Sequence, residues 1–356
     1  DNGNVGIGTS HTSPSQKLEV QGNILTTQED NPVARAWTDV NLGDPQGVYV
    51  SGKYAYVAAG GGTLGIYDIS NPDSIATKGN TGVGLTAPRG LCVSGKYAYV
   101  TSDQSNRLSI FDISNPNSIV TKGYTSVNLN PSSWGLYVSG KYSYVISGTG
   151  TGGRLCIFDI SNPDSIVAKA YTGVNINSPQ GIFVSGKYAY VASAGNLRLC
   201  IFDISNPDSI VTKNYTDENL SWPTKVYVSG KYAYVADNGF SRLAIFDISN
   251  PDSIIGKAYT SVGLNNLINV YVSGKYAYMT CQTTTNRLSI FDISNPGSIV
   301  TKGYTTAGLD GPQAVYVSGK YAYVVSNNNN RLAIFELNST DTPTFNTGAA
   351  TISNLQ

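Results

Sequence analysis

Apolar runs of four to seven residues alternate with short polar breaks along most of the chain, a length that suits strands and falls short of helices. One stretch shows the pattern. Gly90–Val93 predicts a first strand and Ser94-Gly95-Lys96 a tight turn. Tyr97–Ser102, rich in aromatic and β-branched residues, predicts a second strand. A polar loop leads to a third strand, Arg107–Ile113. Ser114-Asn115-Pro116 stops it, because proline cannot donate to a ladder and Asn and Ser favour turns. Ile119–Thr125 reads as a fourth, more polar strand. Both faces of the inner strands are apolar, as expected of a sheet covered on two sides by neighbouring sheets.

The same unit recurs. Ser-Gly-Lys-Tyr begins at Ser51, Ser94, Ser139, Ser185, Ser229, Ser273 and Ser318, with spacings of 43, 45, 46, 44, 44 and 45 residues. Seven copies at this period, each with four short strands, predict an all-β, seven-bladed β-propeller of four-stranded blades. Val33-Ala34-Arg35-Ala36-Trp37-Thr38 matches Val167-Ala168-Lys169-Ala170-Tyr171-Thr172 in type at every position, whereas the last triplet, Ala314 to Leu337, lacks an outer strand of that pattern. The N-terminal strand is therefore expected to complete the seventh blade and remove an open edge.

The repeated Arg-Leu-x-Ile-Phe-Asp-Ile-Ser-Asn-Pro, as at Arg107–Pro116 and Arg242–Pro251, resembles the LVIVD-repeat propellers of bacterial and archaeal surface proteins. The resemblance implies the fold and no activity, since that family has no shared catalytic motif. Outside the repeats, Asn4–Thr9 and Pro14–Asn23 look like a short β motif common in phage tail fibres and bacterial surface fibres, and Gly348–Gln356 is similar in character. The expected organisation is a fibre-like arm at 1–31, a propeller at 32–340 and a second arm at 341–356.

Charge narrows the function. Lys+Arg and Asp+Glu number 23 each, and charged residues are only 13% of the chain, so steering of a polyanion by bulk charge is excluded and nucleic acid is not an expected partner. No apolar run approaches 18 residues, so no membrane insertion is expected. Asp1 opens the chain with no signal-peptide features, which fits a mature product or a piece of a longer one. Twenty basic residues fall at repeated places in the turns, third strands and outer strands, leaving Lys17, Arg89 and Lys225 outside the repeat.

Candidate chemistry is sparse. The single histidine, His11, lies in the N-terminal arm, so no Ser-His or Cys-His pair can assemble within the repeats. Asp68, Asp112, Asp159, Asp203, Asp247 and Asp292 stand once per blade, where capping the Ser-Asn-Pro turn accounts for them. Cys92, Cys156, Cys200 and Cys281 show no CxxC spacing. Cys156 and Cys200 share a register in adjacent blades about 10 Å apart, beyond disulfide reach. No catalytic residue, metal or cofactor is expected.

Variation between copies points to one end of the propeller. The residues just before the first strands, Gln46, Arg89, Trp134, Gln180, Thr224, Ile268 and Gln313, are expected to ring one mouth of the central channel. Gln46, Arg89, Trp134, Gln180, Trp222 and Gln313 form the candidate binding face. Lys17, Leu18, Val20, Ile24, Ile352 and Leu355, in strand-like pieces of the arms, are candidate assembly residues. The leading expectation is an extracellular or cell-surface, non-enzymatic structural protein, a propeller subunit of a filament or fibre that binds copies of itself through its arms. The alternative is an adhesin or lectin-like module whose variable loops contact surface glycans or proteins.

Overall fold

A computed structural model describes residues 31–132, 135–216, 220–282 and 286–337. These contain 28 strands and one short 3-10 turn, Gly150–Gly152. The strands form seven four-stranded antiparallel sheets. Blades 1 to 6 each take four consecutive strands, running 45–81, 88–125, 135–172, 179–215, 223–260 and 267–305. Blade 7 joins Pro312–Ser318, Tyr321–Ser326 and Arg331–Glu336 to Val33–Thr38, which pairs antiparallel with Arg331–Glu336. The expected closure is observed.

The first two strands of each blade are joined by the Gly-Lys pair of the repeat. Gly52 has φ +57°, and its six counterparts have φ of 56–57°. That left-handed value at the first loop position is open to glycine and matches a II′ hairpin turn. The third strand ends beside this turn: Ile69 N–H donates to Lys53 O at 2.9 Å, and Ile113 N–H to Lys96 O at the same distance. Asp68 then caps the turn, accepting from Ser70 N–H at 3.0 Å and from Ser70 Oγ at 2.6 Å. The Ser-Gly-Lys and Ser-Asn-Pro turns therefore share one end of the propeller, and the variable loops share the other.

The core lies between blades. Tyr234, Leu243 and Ile245 of blade 5 pack on Val270, Met279 and Phe291 of blade 6. Val48, Val57 and Tyr67 of blade 1 pack on Val325, Leu332 and Ile334 of blade 7. Phe111, Phe158, Phe202, Phe291 and Phe335, one per blade, are fully buried, and truncating such a side chain costs about 3–5 kcal/mol. Outer strands are tied across blades by exposed ion pairs: Lys169–Asp208 and Lys213–Asp252 at 2.8 Å, and Arg35–Asp73 at 2.9 Å. Surface pairs of this kind contribute little to stability, because water and salt screen them.

Candidate binding face at the channel mouth

First strands begin earlier than the hydrophobic pattern indicates. In blade 2 the strand runs Pro88–Ser94, so the mouth residues lie inside the strand and not ahead of it. Proline is tolerated as the opening residue because its missing N–H faces no partner there. The ladder then shifts register immediately after it, between Pro45 and Gly47, Pro179 and Gly181, Pro223 and Lys225, and Pro312 and Ala314. Gln46, Gln180, Thr224 and Gln313 are the skipped residues. A bulged residue is freed from the pleat, and its side chain is re-aimed.

Ahead of each first strand stands one residue in the left-handed region: Asp44, Ala87, Ser132, Ser178, Trp222, Asn266 and Gly311, with φ between 44° and 71°. Each carbonyl accepts the N–H that opens the loop between strands two and three, as Asn238 N–H does on Trp222 O at 3.2 Å. Asn, Asp and Gly adopt this conformation readily, but a tryptophan at φ 60° is strained by about 1–3 kcal/mol. Trp222 is nevertheless 47% exposed and lines the channel.

The mouth opens into a cavity of about 790 Å³, whose wall includes Gln46, Arg89, Gln180, Trp222, Thr224, Ile268 and Gln313. All the described members of the expected ring are therefore brought together. Trp134 lies outside the described residues, as do the candidate arm residues Lys17, Leu18, Val20, Ile24, Ile352 and Leu355. Gln46 Nε2 donates to Asp44 Oδ1 at 2.6 Å, and Gln46 Oε1 accepts from Arg89 Nη1 at 3.3 Å. Arg89 Nε is paired with Asp103 Oδ2 at 2.9 Å. Thr224 Oγ1 sits 3.1 Å from Leu267 O, bridging blades 5 and 6.

Below the mouth is a feature that the sequence reading passes over. Tyr49, Cys92, Tyr137, Phe183, Tyr227, Tyr271 and Tyr316 occupy one equivalent position in the seven first strands, and all line the cavity. Tyr137, Phe183, Tyr227, Tyr271, Tyr316 and Tyr49 follow one another with ring centres 4.7–5.0 Å apart. The hydroxyls of Tyr49, Tyr316, Tyr271 and Tyr227 are close enough in series to oppose one another's ionisation. Burial raises the pKa of Tyr49, Tyr137, Tyr227 and Tyr271, which keeps these four hydroxyls protonated. Cys92 fills the seventh place, and burial pushes its thiol up to about 11. The other cysteines are free and buried, with Cys156 Sγ and Cys200 Sγ each 3.3 Å from a backbone carbonyl.

Blade 5 departs from the repeat at this end. Asp237, fully buried, accepts from Ser221 N–H at 2.7 Å and from Arg242 Nε at 3.0 Å. Burial raises its pKa, and those two partners oppose the shift. They fix the turn that presents Trp222. Arg242 is also stacked between Phe240 at 4.6 Å and Tyr259 at 4.2 Å. Lys225 lines the channel where Gly47, Gly90, Gly135 and Gly181 stand in blades 1 to 4. The wall as a whole offers amides, hydroxyls, aromatic faces and two cations, a composition suited to holding a polar ligand.

Solved structures with the same architecture are only distantly similar in sequence. A Bacteroides fragilis NCTC 9343 protein, named provisionally as a 6-phosphogluconolactonase, is 18% identical with a TM-score of 0.66, over 82% of this chain and 89% of that one. The β-propeller domain of Cps50 (Swd1) from Myceliophteria thermophila is 13% identical with a TM-score of 0.67, over 86% and 99%. A chain of the Mitotic Checkpoint Complex is 12% identical with a TM-score of 0.71, over 90% and 99%. At such identities the likeness shows the fold alone. Among curated proteins the sequence finds no match. The LVIVD repeat matches seven segments, 42–82, 88–126, 132–171, 178–217, 224–258, 267–306 and 312–335. With each segment falling on one blade, the chain belongs to the LVIVD repeat family.

Proposed function

We propose that this propeller is a non-enzymatic binding module that takes a polar ligand, of the surface-glycan kind, in the mouth of its central channel. The observation that carries the reading is Trp222: a large aromatic held in a left-handed conformation, half exposed over a cavity ringed by Gln46, Gln180 and Gln313. Aromatic faces stack on sugar rings while amides meet hydroxyls. The non-enzymatic half is supported by the lining, where Cys92 is a protonated thiol at neutral pH and Asp44, exposed at the rim, is the one carboxylate among the described residues. A glycan array probed with the protein and with Trp222→Ala tests it. Binding lost in the variant is expected; binding that is absent, or unchanged in the variant, would sink it.

A second reading, a fibre or filament subunit at the cell surface, draws on the fibre-like terminal sequences and on the outer strands. Each outer strand is the last of its sheet among the described residues, and Val120, Tyr124, Val167, Tyr171, Val300 and Tyr304 are exposed on three of them. Strand addition by an arm of a neighbouring copy is a common use of such edges. Trimming 1–31 and 341–356 yields a monomeric propeller on this reading; a trimmed protein that still polymerises contradicts it.

A further inference from the structure

Of the three basic residues outside the repeat, two converge on the channel. Arg89 is already matched by Asp103 at 2.9 Å. Lys225 is not matched. Its six equivalents, Gly47, Gly90, Gly135, Gly181, Asn269 and Ala314, carry no charge, and among the described residues no acceptor or carboxylate lies within bonding distance of its ammonium. The nearby acids are otherwise engaged: Asp44 is exposed at the rim and holds Gln46, while Asp237 is turned to Ser221 and Arg242. Burial lowers the Lys225 pKa, and no neighbouring charge raises it again. Lys225 is half-buried and lines the channel, so its unmatched charge stands where a ligand entering the mouth meets it.

A second observation lies in the same wall. Gln282 Nε2 and Asn327 Oδ1 both belong to residues lining the cavity, and both are buried without a hydrogen-bond partner. More directly, the carboxamides of Gln46, Gln180, Asn269 and Gln313 stand in the same wall and offer donors and acceptors together. A sugar hydroxyl matches both, since it donates and accepts. The charge is set by Lys225. One unmatched cation balances one negative charge, which a carboxylate carries and a phosphate monoester, at about −1.5 to −2, exceeds.

We propose that the channel mouth binds an acidic sugar of the uronic acid class, its carboxylate on Lys225 and its hydroxyls on the amides of the cavity wall. This rests on the reading of the mouth as a binding face and names the ligand class for it. Lys225 supplies the charge selectivity. Arg89, held by Asp103 and Gln46, shapes the rim.

The test titrates galacturonic acid, galactose and galactose 6-phosphate into the full chain and into Lys225→Met by calorimetry. Galacturonic acid binds the unaltered protein about tenfold or more tightly than galactose, in line with one charge-assisted hydrogen bond. Lys225→Met loses that preference, binding galacturonic acid no more tightly than galactose. Lysine ε-carbon NMR of the unaltered protein gives a readout independent of the variant's folding: one lysine resonance, set apart from the exposed ones, shifts with galacturonic acid and not with galactose. Equal affinity for acid and neutral sugar, a preference that Lys225→Met retains, or tighter binding of the phosphate overturns the inference while leaving the binding face standing. No binding of any of the three sinks both.

Discussion

The guanidinium of Arg331 stacks 3.9 Å from the ring centre of Trp37, joining the last strand of the propeller to the first. Five other blades repeat this contact within themselves, as Arg198 does on Tyr215 at 4.0 Å and Arg107 on Tyr124 at 4.3 Å. Trp37 therefore takes a tyrosine's place in a blade whose outer strand comes from the opposite end of the sequence. The Arg35–Asp73 pair carries the seam on to blade 1. Cation–π contacts at exposed sites contribute about 0.5–1 kcal/mol, so Trp37→Ala is expected to lower the unfolding free energy by about 1 kcal/mol. Deleting residues 1–38 is expected to lower the melting temperature further and to promote aggregation through the open edge. Thermal melts with light scattering check both, and a deletion with an unchanged melt contradicts the closure.

The fold was legible because each local signal repeats seven times, and the Val33–Thr38 match disclosed its closure. The mouth ring was legible too, since copies that agree elsewhere differ at Gln46, Arg89, Thr224 and Ile268. The bulges were not. One skipped residue after Pro45 or Pro179 leaves the apolar pattern intact, and only the ladder shows it. Tyr49 and Tyr316 each read as strand residues in a Val-Tyr-Val stretch. Only the circular closure, which brings residues far apart in the chain to a ring-centre distance of 4.9 Å, makes a collar of them. Lys225 stood out as an off-repeat cation, but its importance depends on the absence of a partner, which sequence does not report.

Trp222 sets stability against binding. Its φ of 60° is one that glycine adopts freely, and Gly311 holds the same place in blade 7 at 65°. Trp222→Gly is expected to raise stability by about 1 kcal/mol, by relief of the left-handed strain, while weakening ligand binding. Chemical denaturation paired with the array measurement checks it. A destabilised variant would show that the ring's packing outweighs the backbone strain.

At Gly181 two blades approach closely at the channel wall. A Cβ there would lie 2.7 Å from Lys225 Cα and 2.9 Å from Thr224 O, both backbone atoms that cannot turn aside. Gly181→Val is expected to destabilise by about 1–3 kcal/mol, the usual cost of overpacking. Urea denaturation gives the value, and a loss below the error of the method would contradict the packing described.

Acid should loosen the propeller from its turn end. Hydrogen bonds from Ser70, Ser114, Ser161, Ser205 and Ser249 lower the pKa of Asp68, Asp112, Asp159, Asp203 and Asp247 below the ordinary 3.8. A carboxylate with a lowered folded pKa stabilises fully above its unfolded value and loses that contribution as pH falls through the folded one. The melting temperature is therefore expected to hold steady from pH 7 to about 5 and to fall below about 4. Ser114→Ala makes that fall shallower. Melts across this range check the sign, and a melting temperature that rises on acidification contradicts it.

The claim that the variable-loop mouth is the ligand face is tested most directly by hydrogen exchange, measured by mass spectrometry with and without a glycan that binds. Protection is predicted in the loops between strands two and three, at 59–63, 237–241 and 326–330, and at the bulged strand starts around Gln180 and Thr224. Protection confined to the outer strands, such as 120–125 and 167–172, or to the Ser-Gly-Lys turns at the other end, would contradict it.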